Sequence, residues 1–197
     1  IFSKSMKYYI NTFTNITTPP VITINDNTGK TLTTLVDNKR LAEKVANLHM
    51  PSKEFFTFTT SDGVELNGWM MKPANFDANK KYPVIMHQYS GPGSQRVLDQ
   101  WNIGSRSDGG MFEAYMADHG FISVCVDGRG TGGRGAEFEK CTYMNLGVKE
   151  ARDQVETALY LGTLPYVDAK NIGIWGWSFG GYTTLMSMSE GTPVFKA

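Results

Sequence analysis

The chain has 197 residues, 41% hydrophobic, 12% aromatic and 19% charged, which is enough apolar side chain for a globular core. Its 19 basic and 19 acidic residues cancel, so no long-range field favours phosphate backbones or anionic lipid. Nucleic-acid partners are therefore not expected, and no apolar run is long enough for a membrane segment.

The first fifty residues read as strands. Met6 to Thr14 and Val21 to Asn25 are rich in β-branched and aromatic residues, with Pro19 and Pro20 between them. Asn27-Thr28-Gly29-Lys30 turns the chain into Leu32 to Val36. A short helix follows, with Asp37 or Asn38 as its cap and Leu41, Val45 and Leu48 on one face; Pro51 blocks its continuation. Three strands are too small a sheet to bury a core, so residues 1–50 are expected to end a larger β-domain.

The pattern changes at Lys53. Phe55 to Thr60 and Val64 to Met71 flank Asp62-Gly63, a two-residue hairpin signal. Three apolar runs follow: Pro83 to Tyr89, Phe121 to Val126 and Asn171 to Trp177. Between them lie helical patterns. One runs through Met111, Tyr115 and Met116 and stops at Gly120; another spans Val148 to Leu161, with Val155, Ala158 and Leu159 on one side. Phe179 to Ser189 is expected to be helical as well. This alternation predicts an α/β fold over 51–197, a mostly parallel sheet with an antiparallel edge. Cys141 and Cys125 are too few for a disulfide framework, and Cys125, within a strand run, reads as a buried free thiol.

Gly176-Trp177-Ser178-Phe179-Gly180 fits G-x-S-x-G where a buried strand meets a helix. At such a turn glycines let strand and helix approach, and the helix start aims N–H groups at a developing oxyanion. The bland alternative is a glycine-rich strand–helix turn, but the flanking elements favour a nucleophile at Ser178. Tyr89-Ser90-Gly91-Pro92-Gly93-Ser94-Gln95 follows the first apolar run; taken alone it reads as a Gly/Pro turn. The glycine-rich run Asp127 to Gly135 satisfies G-x-G-x-x-G, with Asp153 further on. A dinucleotide site is rejected, because the next convincing helix starts only near Val148 and the preceding strand is not the sheet's first.

Together these pieces resemble the dipeptidyl peptidase IV group of the prolyl oligopeptidase family of serine peptidases. The matching segments are Tyr89 to Gln95, Asp127 to Gly130 and Asn171 to Tyr182, with Met50 to Lys53 and Lys80 to Pro83 in support. The resemblance implies the N-terminal part of an α/β-hydrolase domain at 51–197, preceded by the last strands of a β-propeller. It implies Ser178 as nucleophile, with the Phe179 N–H and the Tyr89 hydroxyl as oxyanion donors. Trp177 and Tyr182 would contact substrate. Phe179 departs from the family's usual tyrosine, keeping an aromatic pocket wall but losing a hydroxyl. The implied activity is removal of N-terminal dipeptides with Pro or Ala at the penultimate position, through an acyl-enzyme. The implied partners are peptide substrates, with no cofactor or metal, in an exported, homodimeric parent protein.

In this fold the nucleophile is followed by Asp or Glu and then His. The residues after Ser178 contain neither aspartate nor histidine, and His49, His87 and His119 all precede it. Each has a structural explanation, so the chain alone is expected to be inactive and to have been cut from a longer protein, as its start at Ile1 also suggests. A carboxylesterase or lipase would share the G-x-S-x-G turn, but with a backbone-only oxyanion loop. A non-catalytic interaction module carrying a relic serine is the remaining alternative.

Overall fold

A computed structural model describes residues 1–48, 50–51, 53–102 and 110–197. His49, expected to end the first helix, and Ser52 lie outside the described residues. The first three strands, β1 (Tyr8–Phe13), β2 (Val21–Asp26) and β3 (Thr31–Val36), form an antiparallel sheet in the order β1-β2-β3. Every residue of β3 is exposed, and Asn25 alone in the three strands is buried, as expected of a sheet too small to make a core. The helix α1 (Lys39–Asn47) buries nothing. Asn38 sits at its cap in a left-handed conformation and spends its amide on Pro20 O, while Asp37 accepts the Lys39 N–H at 3.2 Å.

The second sheet has the order β4-β5-β7-β6-β8, built from β4 (Lys53–Thr59), β5 (Glu65–Met71), β6 (Tyr82–His87), β7 (Ile122–Asp127) and β8 (Val167–Trp175). β5 runs against both β4 and β7, and β7, β6 and β8 are parallel, so four of the five strands point one way. The β4–β5 turn has three residues, 61–63, rather than two. Thr60 N–H bonds Val64 O, and Gly63 takes a left-handed φ of 83°, which closes the wider loop.

Both faces of the sheet are covered, because strand residues alternate. Leu66, Met70, Val124, Val126, Val84 and Met86 pack toward α4 (Val148–Gly162), which contributes Ala158 and Leu161. Trp69, Met71 and Cys125 face the other way, onto Ala114 and Ala117 of α2 (Met111–Asp118). Cys125 is a buried free thiol. The α2 face is rotated from the expected one, with Met111 and Tyr115 outward and Glu113, Ala114 and Ala117 inward; in α4 the expected Val155 and Ala158 are buried, but Leu159 points outward and Leu161 inward. A short helix, α3 (Ala136–Lys140), directly follows the glycine-rich run, well before the helix expected near Val148, so helix spacing is not the reason to reject a dinucleotide site there; the run follows β7, which is not the first strand of the sheet. Beyond the β8 edge, Lys196 N–H bonds Ile172 O and Ile174 N–H bonds Ala197 O, so part of that edge is already paired.

Arg129 ties three elements together. Its Nε and Nη2 donate to Asp153 of α4, its backbone N–H donates to the same carboxylate at 2.7 Å, and Nη1 reaches Asp62 in the β4–β5 turn at 2.9 Å. Asp153 is fully buried and Asp62 exposed. The Asp153 hydrogen bonds hold the guanidinium protonated, while burial pushes the Asp153 carboxyl up. This occupation of Asp153 also supports rejecting it as a ribose ligand. Removing a buried partner strands a charge, whereas an exposed one is screened by water. Asp153→Ala is expected to lower unfolding stability by about 3–5 kcal/mol and Asp62→Asn by no more than about 1 kcal/mol in urea titrations.

His87, at the end of β6, stacks on Trp175 with centroids 4.5 Å apart. Burial, with the nearby Arg96 and Lys53 cations, pushes its pKa down to about 4. Glu113 Oε1, 3.7 Å from Nδ1, pulls the other way but does not offset the loss of water. The unfolded chain thus binds a proton near pH 6.5 that the folded chain refuses until about pH 4. Stability should be full above pH 6.5 and decline by up to about 3 kcal/mol as pH falls to 4. Denaturation series at several pH values should show this slope, reduced in His87→Gln.

Candidate active site

The three parallel strands β6, β7 and β8 end at the same edge of the sheet, and the loops leaving them converge there, where α/β folds place ligands. After β8 the chain turns sharply into α5 (Phe179–Ser189). Ser178 is the cap of that helix, exposed, with φ 57° and ψ −117°, a conformation that costs a non-glycine residue about 1–3 kcal/mol. The strain persists because its neighbours allow no alternative. A Cβ on Gly176 would lie 2.5 Å from Gln88 O and 2.6 Å from Gly180 C, and one on Gly180 would also strike Gln88 O. Glycine is required at both positions.

The Phe179 N–H, first in α5, has no acceptor within the helix, and the positive end of the helix dipole lies beside the Ser178 hydroxyl. Across from it, the Tyr89 ring approaches the Phe179 ring at 6.3 Å. A Cβ on Gly91 would meet the Tyr89 ring at 2.5 Å and the Phe179 ring at 3.4 Å. Ser90, next to Tyr89, likewise has a positive φ, at 58°. Its buried hydroxyl accepts from Gln154 Nε2 at 3.3 Å. The Tyr89 loop and the Ser178 turn are therefore adjacent, both strained and both held from behind.

Phe179 is half-buried and meets Tyr182 edge-on at 5.4 Å; the Tyr182 hydroxyl donates to Leu146 O at 3.1 Å. Trp177 is 79% exposed. The five residues singled out in the sequence thus fall in one neighbourhood, with Trp177 at its rim. Neither described histidine sits as a base for Ser178. His87 is buried against Trp175, and His119 bonds Tyr115 O through Nδ1 at 2.8 Å.

One residue that builds the site escaped the sequence reading. Gln88 is fully buried, and its Nε2 donates to Gly180 O at 2.6 Å and to Thr184 Oγ1 at 3.0 Å, stapling β6 to α5. The signal was a polar amide ending an apolar strand run, since such a group needs partners inside the protein.

Residues 111–197 match the prolyl oligopeptidase family profile. The chain is 34% identical to a protein named probable dipeptidyl peptidase 4 from Aspergillus flavus, over 98% of this chain and 25% of that protein. It is 39% identical to a probable dipeptidyl-aminopeptidase B from Sclerotinia sclerotiorum, over 96% of this chain and 20% of the other. Its fold superimposes on the crystal structure of Porphyromonas gingivalis dipeptidyl peptidase 4 with a TM-score of 0.93 and 50% identity. That match covers 100% of this chain and 27% of the other, so the chain spans between a fifth and about a quarter of the length of these relatives. With its strand order, its G-x-S-x-G turn and these likenesses together, the chain belongs to the prolyl oligopeptidase family of serine peptidases, as a stretch like one found in dipeptidyl peptidase IV.

Proposed function

We propose that these residues form the nucleophile and oxyanion half of a dipeptidyl peptidase site. The observation that carries the reading is the strained Ser178 at the start of α5, facing the Tyr89 loop. A bound peptide would place its second carbonyl carbon against Ser178 Oγ. Attack forms the C–O bond and a tetrahedral oxyanion, which the Phe179 N–H and the Tyr89 hydroxyl stabilise. Collapse breaks the C–N bond, and the amine leaves with the proton taken from serine; water then hydrolyses the ester.

The base that takes this proton, and the carboxylate that orients it, are assigned to the part of a full-length protein outside these 197 residues. So are the acidic groups that would hold the substrate amine and make the cut dipeptidyl. In the same reading, β1–β3 end a propeller domain. The Phe179 and Tyr182 rings offer an apolar wall suited to proline or alanine at the penultimate position.

A fluorophosphonate probe tests the assignment. It should label the full-length protein but neither its Ser178→Ala variant nor the 197-residue chain alone. Labelling of the isolated chain would place the base within it, and an unlabelled, folded full-length protein would remove the peptidase reading. Turnover of Gly-Pro-anilide should stop when its amine is acetylated. A protein that instead prefers simple esters would be a carboxylesterase. Tyr89→Phe should lower kcat about 10²- to 10³-fold, the usual cost of one oxyanion donor.

A further inference from the structure

The glycine-rich run after β7 has no part in the chemistry proposed above, yet it is packed against the loop that carries Tyr89. Asp127, the last residue of β7, is 6% exposed. Its carboxylate accepts the Arg96 N–H, at 2.8 Å to one oxygen and 3.1 Å to the other, and the Val97 N–H at 2.8 Å. The same Arg96 lays its guanidinium over the Tyr89 ring, 4.8 Å from the centroid. Further along, Gly132 N–H donates to Ser94 O at 2.8 Å and Gly93 N–H to Gly130 O at 3.3 Å.

The fit leaves no slack. A Cβ on Gly132 would lie 3.1 Å from Gly93 O, and one on Gly133 would lie 2.7 Å from the Gln95 amide. The Tyr89 loop has no regular hydrogen-bond ladder of its own, being irregular from Gln88 to Leu98 apart from one turn at Pro92 and Gly93, so its shape is imposed from outside. Its far end is clamped by Asp127 and its middle by Gly130 and Gly132. The residue whose backbone is clamped is also the one whose side chain covers the tyrosine ring.

We infer that Asp127 is a positioning residue for the Tyr89 hydroxyl, acting through Arg96, with the Gly130–Gly132 backbone as a second brace. The inference rests on the reading of Tyr89 as an oxyanion donor. A hydroxyl that must meet an oxyanion at hydrogen-bond distance loses its effect when displaced by about 1 Å, which costs on the order of 100-fold in rate. Because the displacement matters only when the oxyanion forms, it should appear in kcat rather than KM.

The test uses the full-length protein carrying this chain, with rates expressed per active site titrated by fluorophosphonate. Asp127→Asn keeps the shape but turns one acceptor into a donor facing two N–H groups. It is expected to lower kcat about 10- to 100-fold, with KM within about threefold. Gly132→Ala, which presses on Gly93 O, should do the same more weakly. In a Tyr89→Phe background, Asp127→Asn should cost no further kcat, because the hydroxyl it positions is gone. Losses that multiply across the two sites would overturn the inference while leaving Tyr89 as a donor. A Tyr89→Phe variant with undiminished kcat would instead remove the donor reading itself. Unchanged kcat per titrated site, or failure of both Asp127→Asn and Gly132→Ala to fold, would assign the clamp to stability and overturn the inference.

Discussion

The carboxyl edge of the second sheet depends on how closely the backbone at Gln88 approaches the turn between β8 and α5. Its carbonyl occupies the space that a Cβ at Gly176 or Gly180 would need. Its side-chain amide reaches over the same turn to Gly180 O and Thr184. One residue thus excludes side chains by contact and ties down the backbone by hydrogen bonds. With strand and helix held so near, Ser178 has no room for an ordinary conformation and keeps its positive φ. The exposed hydroxyl at the helix start is a consequence of that crowding.

A strained turn needs a stiff surround, and here the surround is polar as well as apolar. Gln88, Asp127, Asp153 and Gln154 are buried where an α/β sheet would ordinarily place aliphatic side chains. Each has found partners on a different element: Gly180, Arg96, Arg129 and Val126 respectively. Buried hydrogen bonds have angular requirements that apolar contacts lack, so they set the relative position of loops more narrowly than packing does. Their net contribution to stability is modest, and their loss leaves desolvated groups behind. The loops that follow β6, β7 and β8 are consequently held in register with one another.

The first three strands behave differently. Their sheet buries almost nothing of its own, and its described contacts with the rest are slight: Ile16 N–H reaches Asp99, and Trp101 N–H reaches Thr14. Large apolar side chains such as Phe2, Phe13, Leu35 and Leu48 stay exposed. So do Tyr143, Met144, Leu185 and Met188 around the second sheet.

Much of this was legible in the amino-acid order, because it is local. Runs of β-branched, aromatic and apolar residues located the strands, helical spacing located most helices, and glycines on either side of Ser178 marked the turn, with α5 beginning at the expected Phe179. What local pattern could not decide were the choices made by neighbours distant in sequence. Met111 and Tyr115 had the right spacing for an inward face, yet the small Ala114 and Ala117 are what fit against Trp69. The hairpin signal at Asp62-Gly63 was sound, but the Thr60–Val64 pairing set a three-residue loop. The stapling of Gln88 to Gly180 joins residues 92 apart, the clamp of Asp127 on Arg96 spans 31, and the pairing of Arg129 with Asp153 spans 24. The sequence by itself therefore determined the elements and the chemistry-bearing turn. Only the tertiary structure decided what holds that turn in place, because a buried polar group declares its need for a partner locally but finds it wherever the chain folds back.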